Sequence, residues 1–210
     1  MKTLSQAVLI IAIIFLGYLC VESINKPVRF QREYDFRKQK VIERLVNIRT
    51  AQVAYRSVYN HYTGSFDTLI NFLKTDSLPM VRMEGSLTDS MFNEGMTEAM
   101  ALKMGIIRRD TTRVSALDSL FHGKLTIVDS IKYIPFSDGL QFEMGSKFLN
   151  TASGVMVTVF EAKTPNDAFL KGLDKQEIIN LNDKANTIKK YPGIKVGSLE
   201  EANNNAGNWE

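Results

Sequence analysis

The stretch Ala51–Leu73, "AQVAYRSVYNHYTGSFDTLINFL", decides how the rest of the chain is read. Its first part contains no Gly or Pro and continues an apolar spacing of four and three residues that begins upstream. Val41, Leu45, Ile48, Tyr55 and Tyr59 form the stripe, Gln52 fills the remaining place, and Ile42, Val46 and Val53 broaden it. That spacing predicts an amphipathic helix. Gly64 offers the positive φ that helix stops often use, and Ser65 offers a capping oxygen for a new helix beginning at Phe66. Phe66, Leu69, Ile70 and Leu73 then mark a second short helix folded back on the first. Tyr62 and Phe66 are the bulky side chains placed to pin that corner.

Upstream, the run "TLSQAVLIIAIIFLGYLCVESIN" carries no charge before Glu22. From Leu4 to Ile24 it has about the ~20 residues a helix needs to cross a hydrocarbon core, and its apolar residues leave no face for water. A single-pass anchor over residues 1–25 is the first reading. A cleaved signal peptide, with Val21 and Ser23 near the cut, is the second, and lipidation of Cys20 the third. Pro27 is expected to interrupt or kink the helix as it leaves the membrane, because it lacks an N–H and its ring crowds the preceding turn. Lys26, Arg29, Arg32, Arg37, Lys38 and Lys40 follow the span, so a literal count of flanking cations favours an inside C-terminus. Long domains cross regardless of that count.

Composition adds exclusions. The 210 residues are 44% hydrophobic and 23% charged, as in a folded protein, and the net charge of +3 is spread among intermixed signs. No basic block suggests a nucleic-acid arm, and no nucleic-acid partner is expected. Cys20 is the one cysteine, which excludes an intrachain disulfide and a Cys-rich metal site. His61 and His122 lie far apart, Ser-based and phosphate-loop signatures are absent, and Glu94 and Glu98 sit one turn apart as on a wet helix face. A noncatalytic chain without a cofactor is the expectation.

The remaining segments predict an α+β head. Met91, Met96 and Met100 lie in a predicted helix over 88–103, stopped by Gly105, and are expected to fill core. Asp-Ser recurs at 76, 89, 118 and 129 as a turn signal, the last two in "VSALDSLF" and "LTIVDSIK", which read as strands. "KLTIVDSIKYIPF", "GLQFEMGS" and "GVMVTVFEA", separated by "SDG" and "NTASG", predict an antiparallel meander in which Leu140, Phe142 and Met144 face inward. Thr164 is expected to cap a short helix with Pro165 in its first turn, "YPGIKVGSL" to form a last strand, and the tail "EEANNNAGNWE" to be solvated. Asp174, Asn182, Asp183 and Asn203–Asn205 carry oxygens that calcium could use, without the spacing of an EF-hand loop. The chain thus divides into an anchor at 1–25, an amphipathic stalk helix and short second helix at 26–74, and a head at 75–210 with an antiparallel meander.

Between Ala51 and Leu69 the sequence resembles the type IV pilins and type II secretion pseudopilins. The resemblance is carried by Ala51-x-x-Ala54-Tyr55, the turn Asn60-x-Tyr62 and the helix start Ser65-x-x-x-Leu69, after a membrane helix that runs into an amphipathic one. It implies a pilin-like fold, a long N-terminal helix packed on an antiparallel β-sheet. It also implies an inner-membrane position with the C-terminal domain in the periplasm, and contact with lipid and with other pilin-like or envelope-machine subunits. Val41, Leu45, Ile48, Tyr55 and Tyr59 are the candidate subunit-contact residues, and Tyr62, Gly64, Ser65 and Phe66 the corner. The closing Asn208-Trp209 resembles the end of some pseudopilins, where calcium binds shortly before. Leu4-Ser5-Gln6-Ala7 lacks the Gly-Phe-type site of pilin precursors, and Glu22 stands at the far end of the span. An accessory or membrane-retained subunit therefore fits better than a major pilus subunit. The other class kept open is a secreted or anchored periplasmic binding module for a small ligand or envelope polymer.

Overall fold

The computed structural model describes residues 2–151 and 154–210, apart from the side chains of residues 2–5, 7, 8 and 12. One helix, α1 (Lys2–Tyr59), accounts for 58 residues. Pro27 lies inside α1, which runs through it without interruption, so the interruption expected there is corrected. A helical proline removes one backbone bond, here to the carbonyl of Ser23, and both residues are exposed, where polar surroundings can satisfy that carbonyl. Near its N-terminus α1 holds a stretch long and apolar enough to cross a membrane, with a mean hydropathy of 1.8 and, among the described residues, none of that stretch buried within the chain. Ile10, Ile13, Ile14 and Phe15 are 58–68% exposed.

The second half of α1 is the spine of the head. Val41, Leu45, Ile48 and Ala51 are fully buried and share a core with Leu69, Phe72 and Leu73 of α2 (Phe66–Thr75), and with Ile131, Phe160 and Phe169. β1 (Ser77–Glu84) leads to α3 (Asp89–Asn93), α4 (Glu98–Lys103) and β2 (Arg108–Ser115), and β1 and β2 pair antiparallel as a separate two-stranded sheet. The predicted helix over 88–103 is therefore two short helices. Gly95, at φ 79°, turns the chain between them.

Both segments read as Asp-Ser strands are helical: α5 (Ala116–Phe121) and α6 (Leu125–Ser130). Their inward residues follow a helical period, with half-buried Leu117 and buried Phe121 four apart and buried Val128 and Ile131 three apart, packed toward α2. In α6, β-branched Thr126, Ile127 and Val128 favour a strand locally, and tertiary packing overrides them. The Asp-Ser pairs do different work. Asp76 ends α2 and accepts the Tyr59 phenol at 2.5 Å, whereas Asp129 pairs with Lys74 at 2.6 Å.

The main sheet has the order β3 (Glu143–Asn150), β4 (Met156–Pro165), β5 (Gly193–Gly197), all antiparallel. Between β4 and β5 lie α7 (Asn166–Phe169) and α8 (Lys175–Thr187). Of the predicted inward trio before and within β3, Phe142 is buried and Met144 half-buried, while Leu140 is 53% exposed in the turn that precedes the strand. Ala152 and Ser153 of the predicted "NTASG" turn lie outside the described residues. Thr164 is a buried residue of β4 and not a cap, the N-cap of α7 being Pro165.

The tail is docked. Gly207 bridges to Val196, Asn208 donates to the Gly193 carbonyl at 2.9 Å, Trp209 packs against the core, and Glu210 pairs with Arg49 of α1 at 2.5 Å. A free sheet edge attracts backbone partners, and this one takes the chain's own end.

Candidate functional site

The corner after α1 is built on backbone satisfaction. Helix α1 stops at Asn60, which adopts φ 62° and donates its N–H to the Arg56 carbonyl at 2.8 Å. Asparagine tolerates this left-handed conformation, so the residue expected to supply it, Gly64, is not the one that does. Gly64 is favoured for a different reason: a Cβ there would lie 3.3 Å from the backbone nitrogen of Ser146 on β3. Ser65 caps α2 by accepting from the Thr68 N–H at 3.4 Å.

Gln52, in the polar place of an otherwise apolar stripe, is fully buried and reads the corner directly. Its Nε2 donates to the Thr63 carbonyl at 2.6 Å, and its Oε1 accepts from the Thr63 N–H at 3.1 Å. Both polar atoms of one buried peptide residue are thereby satisfied by one side chain. Tyr62, 4% exposed, lies 4.9 Å from the Phe160 ring, and its hydroxyl accepts from Arg56 Nη1 at 3.1 Å and Asn205 Nδ2 at 2.8 Å. Phe66 is half-buried against the same core. Helix, sheet and tail converge on these few side chains.

Of the candidate subunit-contact residues, Val41, Leu45 and Ile48 have no exposed surface, and Tyr55, 7% exposed, meets Phe72 edge-on at 5.2 Å. The chain's own head covers this face, so these four are not open to another subunit. Tyr59, 43% exposed, is the surface member. Its hydrogen bond to Asp76 holds the phenol above its ordinary range.

Exposed apolar surface lies elsewhere. The β1–β2 ribbon is half-buried at Ser77, Leu78, Val114 and Ser115, and exposed from Pro79 to Glu84 and from Arg108 to Arg113. It forms an arm. Met80 and Met83 on the ribbon and Phe92, Met100 and Met104 beyond it are 49–70% exposed; of the methionines expected to fill core, Met100 is exposed and Met91 and Met96 are half-buried. Ala101 and Ile107 bury the short segments of the arm against each other, too small a cluster to cover the rest. Flexible thioethers on a protruding element suit an adaptable contact surface. A second exposed feature is a groove of about 570 Å³ between the outer face of α1 at Thr50 and Val53, the start of β1, α5, and Asn204–Asn205.

The polar chemistry of the head is mostly ion pairing. Burial opposes the charge of Lys163, but Glu143 at 3.3 Å and Glu161 at 3.4 Å outweigh it and hold the ammonium above its ordinary range. Lys195 closes the ladder across the sheet at 3.1 Å from Glu161. Burial pushes the Arg44 guanidinium down, and its Nη1 donates to the Ser130 carbonyl. His61 stacks edge-on to Tyr55, while His122 ends α5 at φ 51°. Among the described residues no group of three or more His, Cys, Asp or Glu gathers as a metal site. Asp174 caps α8 through the N–H groups of Gln176 and Glu177, and Asn182 is bonded to Asn166 and Asp167. The oxygens considered for calcium are therefore divided between α8 and the tail.

Sequence reasoning passed over Gln52 as a gap in the stripe and assigned the methionines of 88–103 to the core. A lone amide in an apolar helical slot was the available signal for the first. For the second, the signal was a methionine-rich stretch interrupted by Gly85, Gly95 and Gly105. No protein-family model matches the chain, and no significant match was found to a curated protein or to a solved structure.

Proposed function

We propose that this chain is a membrane-anchored, pilin-like structural or assembly subunit of a bacterial envelope secretion or pilus-type machine, with its head on the periplasmic side of the inner membrane. The observation that carries the reading is the division of labour within α1, whose described apolar residues from Leu9 to Ile24 are exposed and whose second half is the spine of the head. A helix apolar on all faces belongs in lipid or among other helices. The Val41–Tyr55 face is engaged inside the head, so contacts with other subunits fall to the membrane half of α1, to its exposed Phe36 and Val53, and to the methionine arm.

Cysteine crosslinking in cells tests this reading. In a Cys20→Ser background, Val53→Cys, Phe36→Cys and Met100→Cys are expected to give specific adducts, either with a second copy or with another envelope protein. A chain that gives no adduct from any of these positions and stays monomeric in detergent at high concentration would overturn it.

A further inference from the structure

We infer that the cleft between α1 and the turn from α7 to α8 seats a phospholipid headgroup and so docks the underside of the head on the bilayer surface. This rests on the membrane-anchored reading of α1. The cleft, about 500 Å³, is lined by one face of α1 from Glu22 to Glu33 and by Gly172–Asp174. Glu22 is the first charge after the apolar run. Eleven residues of helix rise roughly 16 Å, and the headgroup layer outside a ~30 Å hydrocarbon core is about 5–8 Å deep on each side. The lower part of the cleft therefore lies where lipid phosphodiesters are concentrated.

The turn is fixed at that level by packing. Phe30 is 9% exposed and stacks on Tyr34 at 6.3 Å, and Tyr34 lies 6.5 Å from Phe169. Arg37 Nη1 donates to the carbonyls of Phe169 at 3.1 Å and Lys171 at 3.0 Å, so the underside of the head is tied to α1 within a few turns of the membrane.

The lining of the cleft holds one ammonium, Lys26, and one carboxylate, Asp174, that no ion pair engages among the described residues, the two charges a phosphatidylethanolamine headgroup also carries. Glu22 is paired with Arg29 at 2.9 Å, Glu33 with Arg37 at 2.8 Å, and the Asp174 carboxylate caps α8. Lys26, between them on the same face, has no carboxylate within ion-pair distance among the described residues. A phosphodiester oxygen supplies the anion that this ammonium lacks, and Leu173 flanks the site with apolar surface.

The test uses the full chain with Cys20→Ser in vesicles of phosphatidylethanolamine and phosphatidylglycerol. Single nitroxide labels are placed at Ile14→Cys in the span, Lys175→Cys beside the cleft and Thr111→Cys on the arm. The Ile14 label should be shielded from a water-soluble nickel chelate, and the Lys175 label should be several-fold less accessible to it than the Thr111 label. Lys26→Gln should raise accessibility at 175 by up to about fivefold, the weight of one cation near an anionic surface, without changing the depth at 14. If the Ile14 label is shielded but the Lys175 label is as open as Thr111, or does not respond to Lys26→Gln, the headgroup seat is wrong and the anchor stands. An Ile14 label open to water would overturn the anchored reading and the seat with it.

Discussion

The corner after α1 and the β1–β2 arm are both rich in large apolar and aromatic or sulfur-bearing side chains, yet they treat them in opposite ways. At the corner, Tyr62, Leu69 and Phe72 are buried, and Gln52, Arg56 and Asn205 satisfy the polar groups that must go inside with them. On the arm, Met80 and Met83 stand about half exposed on a ribbon with only two strands, and Met100 is as exposed on α4. Such a ribbon is marginal by itself in water and gains from a third partner. Stability is thus concentrated at the corner and unfilled contact capacity at the arm.

Substitutions can break or sharpen that contrast. Gln52→Leu keeps the volume but strands the N–H and C=O of Thr63 in the core, and should cost about 3 kcal/mol, near the sum for two unsatisfied buried groups. Thermal or denaturant unfolding of the detergent-solubilised chain reads it. Tyr62→Phe removes the acceptor shared by Arg56 and Asn205 and should cost about 1 kcal/mol, since both donors can turn partly toward solvent. Gly64→Ala separates two explanations of one glycine. A contact of 3.3 Å with no left-handed φ predicts a loss below about 1 kcal/mol, whereas a left-handed residue would lose about 1–2 kcal/mol. Met80→Gln with Met104→Gln should change stability by less than about 0.5 kcal/mol, while weakening any crosslink formed from Met100→Cys. A large loss of stability from that pair would mean that the arm packs as core after all.

What was legible in the sequence follows the same division. The apolar period of α1 and α2, the Ser65 cap and the strands around β4 were readable because each depends on neighbours within a few residues. The residue that actually stops α1 was not, because Asn60 and Gly64 can both take a left-handed φ and only the approach of β3 to Gly64 distinguishes them. Helices α5 and α6 were hidden for a related reason: six-residue segments rich in Leu, Ile and Val carry too few turns for period to outweigh composition. Docking of the tail depends on the open edge of β5, a partner distant in sequence. Exposure of the methionines could not be read at all from their spacing, since buried and exposed stripes have the same period.

The identity of the mature N-terminus tests the central claim most directly. Mass spectrometry of the chain from the membrane fraction should find Leu4–Ile24 retained, continuous with the spine of the head. A mature chain beginning at Ile24 and recovered in the soluble fraction would contradict it, leaving a secreted head and no anchored subunit.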